Sequence, residues 1–164
     1  MIKELTLALA LALSAPIASA AHTDEPCRAF SPEQLVLLNM AYTYGKQFDY
    51  EYTLPAIVWR EAFVGSLVIR TNPADPSYGI THVTFPTLKW LSGLDYFPAA
   101  KEAEKLVKDD MLALEYGVRK LQTVHNTTFW AAWRDYNGRS PEGEKYANKI
   151  KHNVSELYRC EVFL

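Results

Sequence analysis

Little in this chain points to a metal, a nucleic acid or a bundle of membrane spans. Its 164 residues hold only two cysteines and no Cys-x-x-Cys pair, so neither a metal site nor a dithiol redox motif is suggested. Positive charge is not in surplus: 17 Lys and Arg face 19 Asp and Glu, the net charge is −2, and no continuous basic stripe is present. That balance argues against a nucleic-acid binder. The one Leu/Ala run, Leu5 to Leu13, is too short for a normal membrane span. No internal repeat, low-complexity tract or interdomain linker interrupts the chain, which is long enough to bury one real core. Aromatics, by contrast, are plentiful at 13%, with 4 Trp and 10 Tyr. They suit a cleft that stacks on the apolar faces of sugar rings, and equally an ordinary core.

The first 20 residues read as a secretory signal. Lys3 supplies the charged start, Leu5 to Leu13 the apolar stretch, and Ala18-Ser19-Ala20 the small-residue cleavage site. A releasable membrane anchor through residues 5–20 is the alternative. The mature chain is expected to begin at Ala21 or His22, to form one domain over 21–164, and to work in the periplasm or outside the cell. Cys27 and Cys160 then lie near its two ends, and in an exported chain an even count suggests a bridge that clasps them. Two buried free thiols are the other reading.

Ser31-Pro32-Glu33-Gln34 carries the marks of a helix start, with Ser at the cap, Pro at the first position and Gln three residues on. That helix runs to about Gly45, with Leu35, Leu38 and Tyr42 on one face. Thr53 is expected to cap a second helix that fades at Val64-Gly65. Pro73 and Pro76 make 66–78 a loop, with a short extended piece at 67–70. Thr84 or Phe85 with Pro86 opens a short helix ending near Gly93, and another spans Asp95 to Lys108. Asp110 is expected to cap the next, whose Met111, Leu114, Val118 and Leu121 form an inward stripe. Asn126-Thr127-Thr128 caps Phe129 to Tyr136, Asn137-Gly138 stops it, and Glu142 to Leu157 closes the domain with Tyr146, Ile150 and Leu157 inward. The expected fold is mainly α, a single compact domain of about seven helices with at most a small β element.

Four features carry chemistry. Leu54, Ile57, Val58 and Glu61 are spaced i, i+3, i+4, i+7, so the glutamate shares a face with apolar residues. A half-covered carboxylic acid is suited to give a proton to a leaving group. About 18 residues on lies Ser77-Tyr78-Gly79-Ile80-Thr81-His82, where a glycine allows close backbone approach to a ligand and His82 offers a donor or acceptor. Trp133, Tyr136 and Asn137 end one helix, and Tyr146 lies one turn into the last. Each has a bland counterpart: a helix-end acid, a tight turn, a core aromatic, a helix stop.

In order and spacing the features say more. Ala56-Ile57-Val58-Trp59-Arg60-Glu61-Ala62, Gly79-Ile80-Thr81-His82, Glu115-Tyr116-Gly117-Val118-Arg119-Lys120-Leu121, Asp135-Tyr136-Asn137-Gly138 and Tyr146-Ala147 fall in register. Together, over Leu35 to Tyr158, they resemble the catalytic domain of soluble lytic transglycosylases, in the lysozyme-like superfamily. That family reads Ala-Ile-x-x-Gln-Glu-Ser, Gly-Leu-Met-Gln, Ala-Gly-x-x-Tyr-Leu, Ala-Tyr-Asn-Ala-Gly and a Tyr-Val pair. The resemblance implies Glu61 as the catalytic acid, with Ser77, Tyr78, Gly79, His82, Tyr136, Asn137 and Tyr146 binding substrate. Within that set it gives Tyr136 and Asn137 the acetamido group and the reacting sugar, and sets Tyr146 facing the glutamate. Departures are plain: the serine after the glutamate is Ala62, the glutamine of the second block is His82, and Ala-Gly after Tyr-Asn is Gly138-Arg139.

Between Tyr52 and Leu94 the only acids are Glu61 and Asp75. Most glycoside hydrolases need two carboxylates, whereas a lytic transglycosylase, as the resemblance implies, needs one. The expected reaction is cleavage of the β-1,4 bond between N-acetylmuramic acid and N-acetylglucosamine, with a 1,6-anhydro product. The alternatives are a hydrolytic muramidase that pairs Glu61 with Asp75, and a non-catalytic wall-binding protein of the same fold. Peptidoglycan glycan strands are the expected partner, with no metal or nucleotide cofactor and no nucleic acid. The chain is expected to act as a monomer, with a secretion machine or phage assembly as a further partner.

Overall fold

The computed structural model describes residues 26–124 and 128–163. The expected signal, 1–20, and the cap residues Asn126 and Thr127 lie outside them. The middle of the structure is a helix with almost no outside. In α2, Thr53–Ala62, every residue from Thr53 to Trp59 is buried, as is Ala62. A helix apolar all round must be wrapped. Here α1, Pro32–Gly45, α7, Pro141–Arg159, and α5, Asp110–Val124, pack against it. Leu54, Ile57 and Val58 are fully enclosed.

Around this axis the other elements follow the chain. A single 3-10 turn, Lys46–Phe48, links α1 to α2. After α2 come three two-residue strands, β1 Ile69–Arg70, β2 Ser77–Tyr78 and β3 Val83–Thr84. They form one antiparallel sheet in the order β1-β2-β3, with Ile69 opposite Tyr78 and Ser77 opposite Thr84. Then follow α3 Phe85–Ser92, α4 Tyr96–Lys108, α5, α6 Phe129–Tyr136 and α7. The protein is thus a mainly helical single domain with seven α-helices and one small sheet among the described residues.

Local signals account for most boundaries. Ser31 and Gln34 form a reciprocal capping box at α1, Thr84 caps α3, Thr128 caps α6 and Ser140 caps α7. Two expected caps are displaced. Thr53 is the first residue of α2, and its hydroxyl instead accepts the Trp133 indole N–H at 3.2 Å, a bond across the core. Asp109, not Asp110, accepts from the Leu112 amide at the start of α5. Of the stripe on α5, Leu114, Val118 and Leu121 are buried, while Met111 is exposed, because the helix turns that residue past the edge of its neighbours.

Cys27 and Cys160 are joined, with Cα atoms 5.7 Å apart across 133 residues. In the loop-entropy view a bridge of that span contributes roughly 5 kcal/mol by restricting the unfolded chain. It fits an oxidising compartment. No helix among the described residues is long and apolar enough to cross a membrane.

Candidate active site

The helix α2 stops one residue after Glu61, and that stop makes the site. Phe63 and Val64 both take left-handed backbone, at φ 48° and 54°, an uncommon state for a β-branched residue. The Leu67 amide closes the turn on the Ala62 carbonyl at 2.9 Å. The chain therefore leaves the helix axis abruptly, and the Glu61 side chain emerges from the core with 14% of its surface exposed. Two pockets of about 400 and 390 Å³ meet there, and Glu61, Arg70, His82 and Asn137 line both.

The α5 arm is lined by Ser77, Asp75, Trp90, Lys120, Asp135 and Tyr136 in addition to the shared residues. Its floor is the turn from Gly79 to His82, pressed onto α5. Thr81 donates its hydroxyl to the Ala113 carbonyl at 2.7 Å, and a Cβ on Gly117 would lie 2.7 Å from the Thr81 methyl. Gly79 has φ +72°, and a Cβ there would lie 2.7 Å from the Leu106 carbonyl. This glycine thus admits the neighbouring helix rather than a ligand. Strand pleating separates the next two residues: Ser77 faces the arm, while Tyr78 lies on the opposite side of the sheet near Phe85.

His82 is held in one orientation. Its ring nitrogen Nε2 lies 2.8 Å from the Leu67 carbonyl, which can only accept, so Nε2 carries a hydrogen. The other nitrogen, Nδ1, faces Glu61 Oε2 at 3.4 Å. Only 4% of the histidine side chain is exposed, and its backbone is left-handed at φ 45°. A neutral ring oriented this way presents a lone pair to the acid, and a protonated one presents a second N–H.

Tyr136 and Tyr146 stack nearly parallel, with centroids 6.1 Å apart. The Tyr136 hydroxyl donates to the Thr81 carbonyl at 2.9 Å, so it is committed to the floor and only the ring serves the arm. Over that ring sits the Lys120 ammonium, 3.9 Å from its centroid. Burial pushes the Lys120 pKa down to about 8, against the opposing charges of Glu61 and Asp75. Burial, reinforced by the Glu61 charge, holds both tyrosines well above the ordinary phenol range.

Two buried hydroxyls have no hydrogen-bond partner among the described residues, and they flank the acid: Ser77 Oγ on the α5 arm and Tyr146 Oη on the α7 arm. The Tyr146 hydroxyl, its pKa raised first by burial, lies beside the Glu61 carboxyl, near enough for its charge and a weak, long hydrogen bond to push the phenol up further, but outside normal hydrogen-bond geometry. Buried polar atoms are rarely left so, and unpaired ones at a cleft invite a ligand.

Four carboxylates line the two arms, and they are not equivalent. Both oxygens of Asp135 are taken, by Arg134 Nε at 2.7 Å and Arg139 Nε at 2.8 Å, and this pairing, led by Arg134, holds its pKa below the usual range. Asp135 is a clamp at the end of α6. Asp75 is exposed on the loop before β2 and lines the α5 arm. Glu142 lines the α7 arm. Of the residues expected to bind substrate, Ser77, His82, Tyr136, Asn137 and Tyr146 converge on Glu61, and Tyr78 and Gly79 do not. Sequence reasoning missed Lys120, and also Lys145 and Lys149, although Lys149 lies one turn beyond Tyr146 and Lys145 one turn before Lys149. Comparison of the chain with models of known protein families, with curated proteins and with solved structures finds no match.

Proposed function

We propose that the protein is a peptidoglycan lytic transglycosylase that works outside the cytoplasm, with Glu61 as acid and then base. The observation that carries this reading is a half-buried carboxylic acid at the junction of two open arms, flanked by two unpartnered hydroxyls. A strand laid through both arms would place one glycosidic oxygen at Glu61. The acid protonates that oxygen as the C1–O bond breaks. The muramic acetamido group stabilises the positive C1, and Asn137, which lines both arms, is the side chain placed to orient it. Glu61, now ionised, takes the proton of the muramic 6-hydroxyl as that oxygen bonds C1. The product is a 1,6-anhydro ring and no water is consumed. His82 Nδ1, facing Oε2, keeps the carboxyl group oriented through both steps.

A second reading has its own observation. Asp75 lines the same arm as Glu61, and a muramidase would use it to activate water on the far side of the sugar. Digestion of purified peptidoglycan, with mass analysis of the fragments and Glu61→Gln in parallel, separates the two. Anhydro ends, lighter by one water, support the transglycosylase. Reducing ends support hydrolysis. No cleavage by the wild-type protein, with binding intact, makes the cleft a recognition site.

A further inference from the structure

The α7 arm is cationic in a chain whose net charge is −2. Arg60 from α2, Arg70 from β1, and Lys145 and Lys149 from α7 line it, against the carboxylates of Glu61 and Glu142. Lys145 and Lys149 stand one helical turn apart on the exposed side of α7, and with the buried Tyr146 they line this arm. None of the four cations lies within 4.0 Å of a carboxylate among the described residues, whereas Asp135 and Glu156 elsewhere hold their arginines at 2.7 to 2.8 Å. Three separate elements thus deliver unpaired positive charge to one groove that begins at the acid. At its base the Tyr146 hydroxyl is buried without a partner.

We infer that this arm binds a carboxylate-bearing substituent of the muramic sugar, so that the protein selects anionic strands over neutral ones. The inference rests on the reading of the cleft as a muramyl-glycan site. In that reaction the muramic residue supplies C1 at Glu61, where this arm begins, and the group on its 3-oxygen is the substituent that brings a carboxylate to the cleft. Two sources offer the same chemistry. In intact wall the substituent is a peptide stem with free carboxylates. In wall stripped of stems it is the bare lactyl carboxylate. Exposed cations each strengthen such a contact modestly, and they act over a Debye length of about 8 Å at physiological salt.

The test is equilibrium binding by the non-cleaving Glu61→Gln protein, with and without Lys145→Gln/Lys149→Gln. The probes are stem-bearing glycan oligomers, the same oligomers stripped by an amidase, and neutral N-acetylglucosamine oligomers. Both lysines are exposed, so the double variant is expected to fold, and Lys151→Gln, on another face of α7, is the charge control. Loss of about fivefold in affinity for stem-bearing oligomers alone, with a shallower salt dependence, assigns the stem carboxylates. The same loss for stripped oligomers alone assigns the lactyl carboxylate. Change within twofold for both, or an equal loss for neutral oligomers or with Lys151→Gln, overturns the inference. Failure of the wild-type protein to cleave strands that it binds would sink the catalytic reading and leave this one to be decided by affinity.

Discussion

The two arms that meet at Glu61 share the acid, Arg70, His82 and Asn137, and beyond these their walls differ in kind. Most polar groups walling the α5 arm are engaged with one another, Tyr136 with Thr81, Lys120 over Tyr136 and Asp135 between two arginines, with the Ser77 hydroxyl the buried exception. The α7 arm is lined by cations without carboxylate partners. A preorganised wall fixes where a sugar lies, because its dipoles need no rearrangement when the ligand arrives. Loose surface charge does another job. It raises the local concentration of a ligand of opposite sign and sets salt dependence, with modest energy per contact. The difference suggests that position is set on one side of the acid and selection on the other.

The largest effect should come from the acid at which both arms meet. Glu61→Gln keeps shape and removes the proton, so activity should fall by about 10³-fold or more while the melting temperature stays near that of wild type. Turnover that survives this change would end the proposal for either arm.

The flanking hydroxyls test each arm separately. Ser77→Ala and Tyr146→Phe each delete a buried group with no partner, so stability should hold or rise within about 1 kcal/mol. Activity should fall by roughly tenfold in each case if the hydroxyls await substrate. A stability loss with activity unchanged would mean that both are packing elements and that the arms meet no ligand there. Smaller still is the expected effect of Asp75→Asn. Turnover should stay within about tenfold, since one carboxylate suffices for the anhydro route. A loss as large as that of Glu61→Gln would convert the α5 arm into half of a hydrolytic pair.

How far these arms were legible in the sequence depends on the range of the forces that make them. Caps and prolines act over one turn, so the starts of α1 and α3 could be read from Ser31-Pro32 and from Thr84 with Pro86, whereas α7 begins one residue before the expected Glu142, at Pro141 with Ser140 as its cap. The spacing of Leu54, Ile57, Val58 and Glu61 placed the acid at the edge of the core, where it lies. Thr53 was misjudged as a cap because its partner, Trp133, is 80 residues away. Tyr78 belongs to the same motif block as Ser77, but the pleat of a two-residue strand sends the two side chains to opposite sides, which a block match does not carry. The cationic arm depends on three elements meeting, yet the spacing of Lys145, Tyr146 and Lys149 was a local hint.

Lys120 sharpens the comparison by its pH dependence. Its ammonium has a pKa lowered to about 8 from an ordinary 10.5, and burial is the main cause. Below pH 8 the folded protein must hold that charge in a place that disfavours it. Between about 8 and 10.5 the folded lysine is neutral while the unfolded one is still protonated. The unfolded state then binds more protons, so this group's contribution to stability rises with pH through that window and is lost as pH falls back through 8. Lys120→Met should therefore melt above wild type at pH 7, with the gap narrowing by about pH 9.5. Thermal melts of both proteins at the two pH values measure it. If the variant instead melts lower at pH 7, attraction of the ammonium to the Tyr136 ring outweighs the cost of burial. The α5 arm would then be held open by its cation, and neutralising it should cost activity as well as stability.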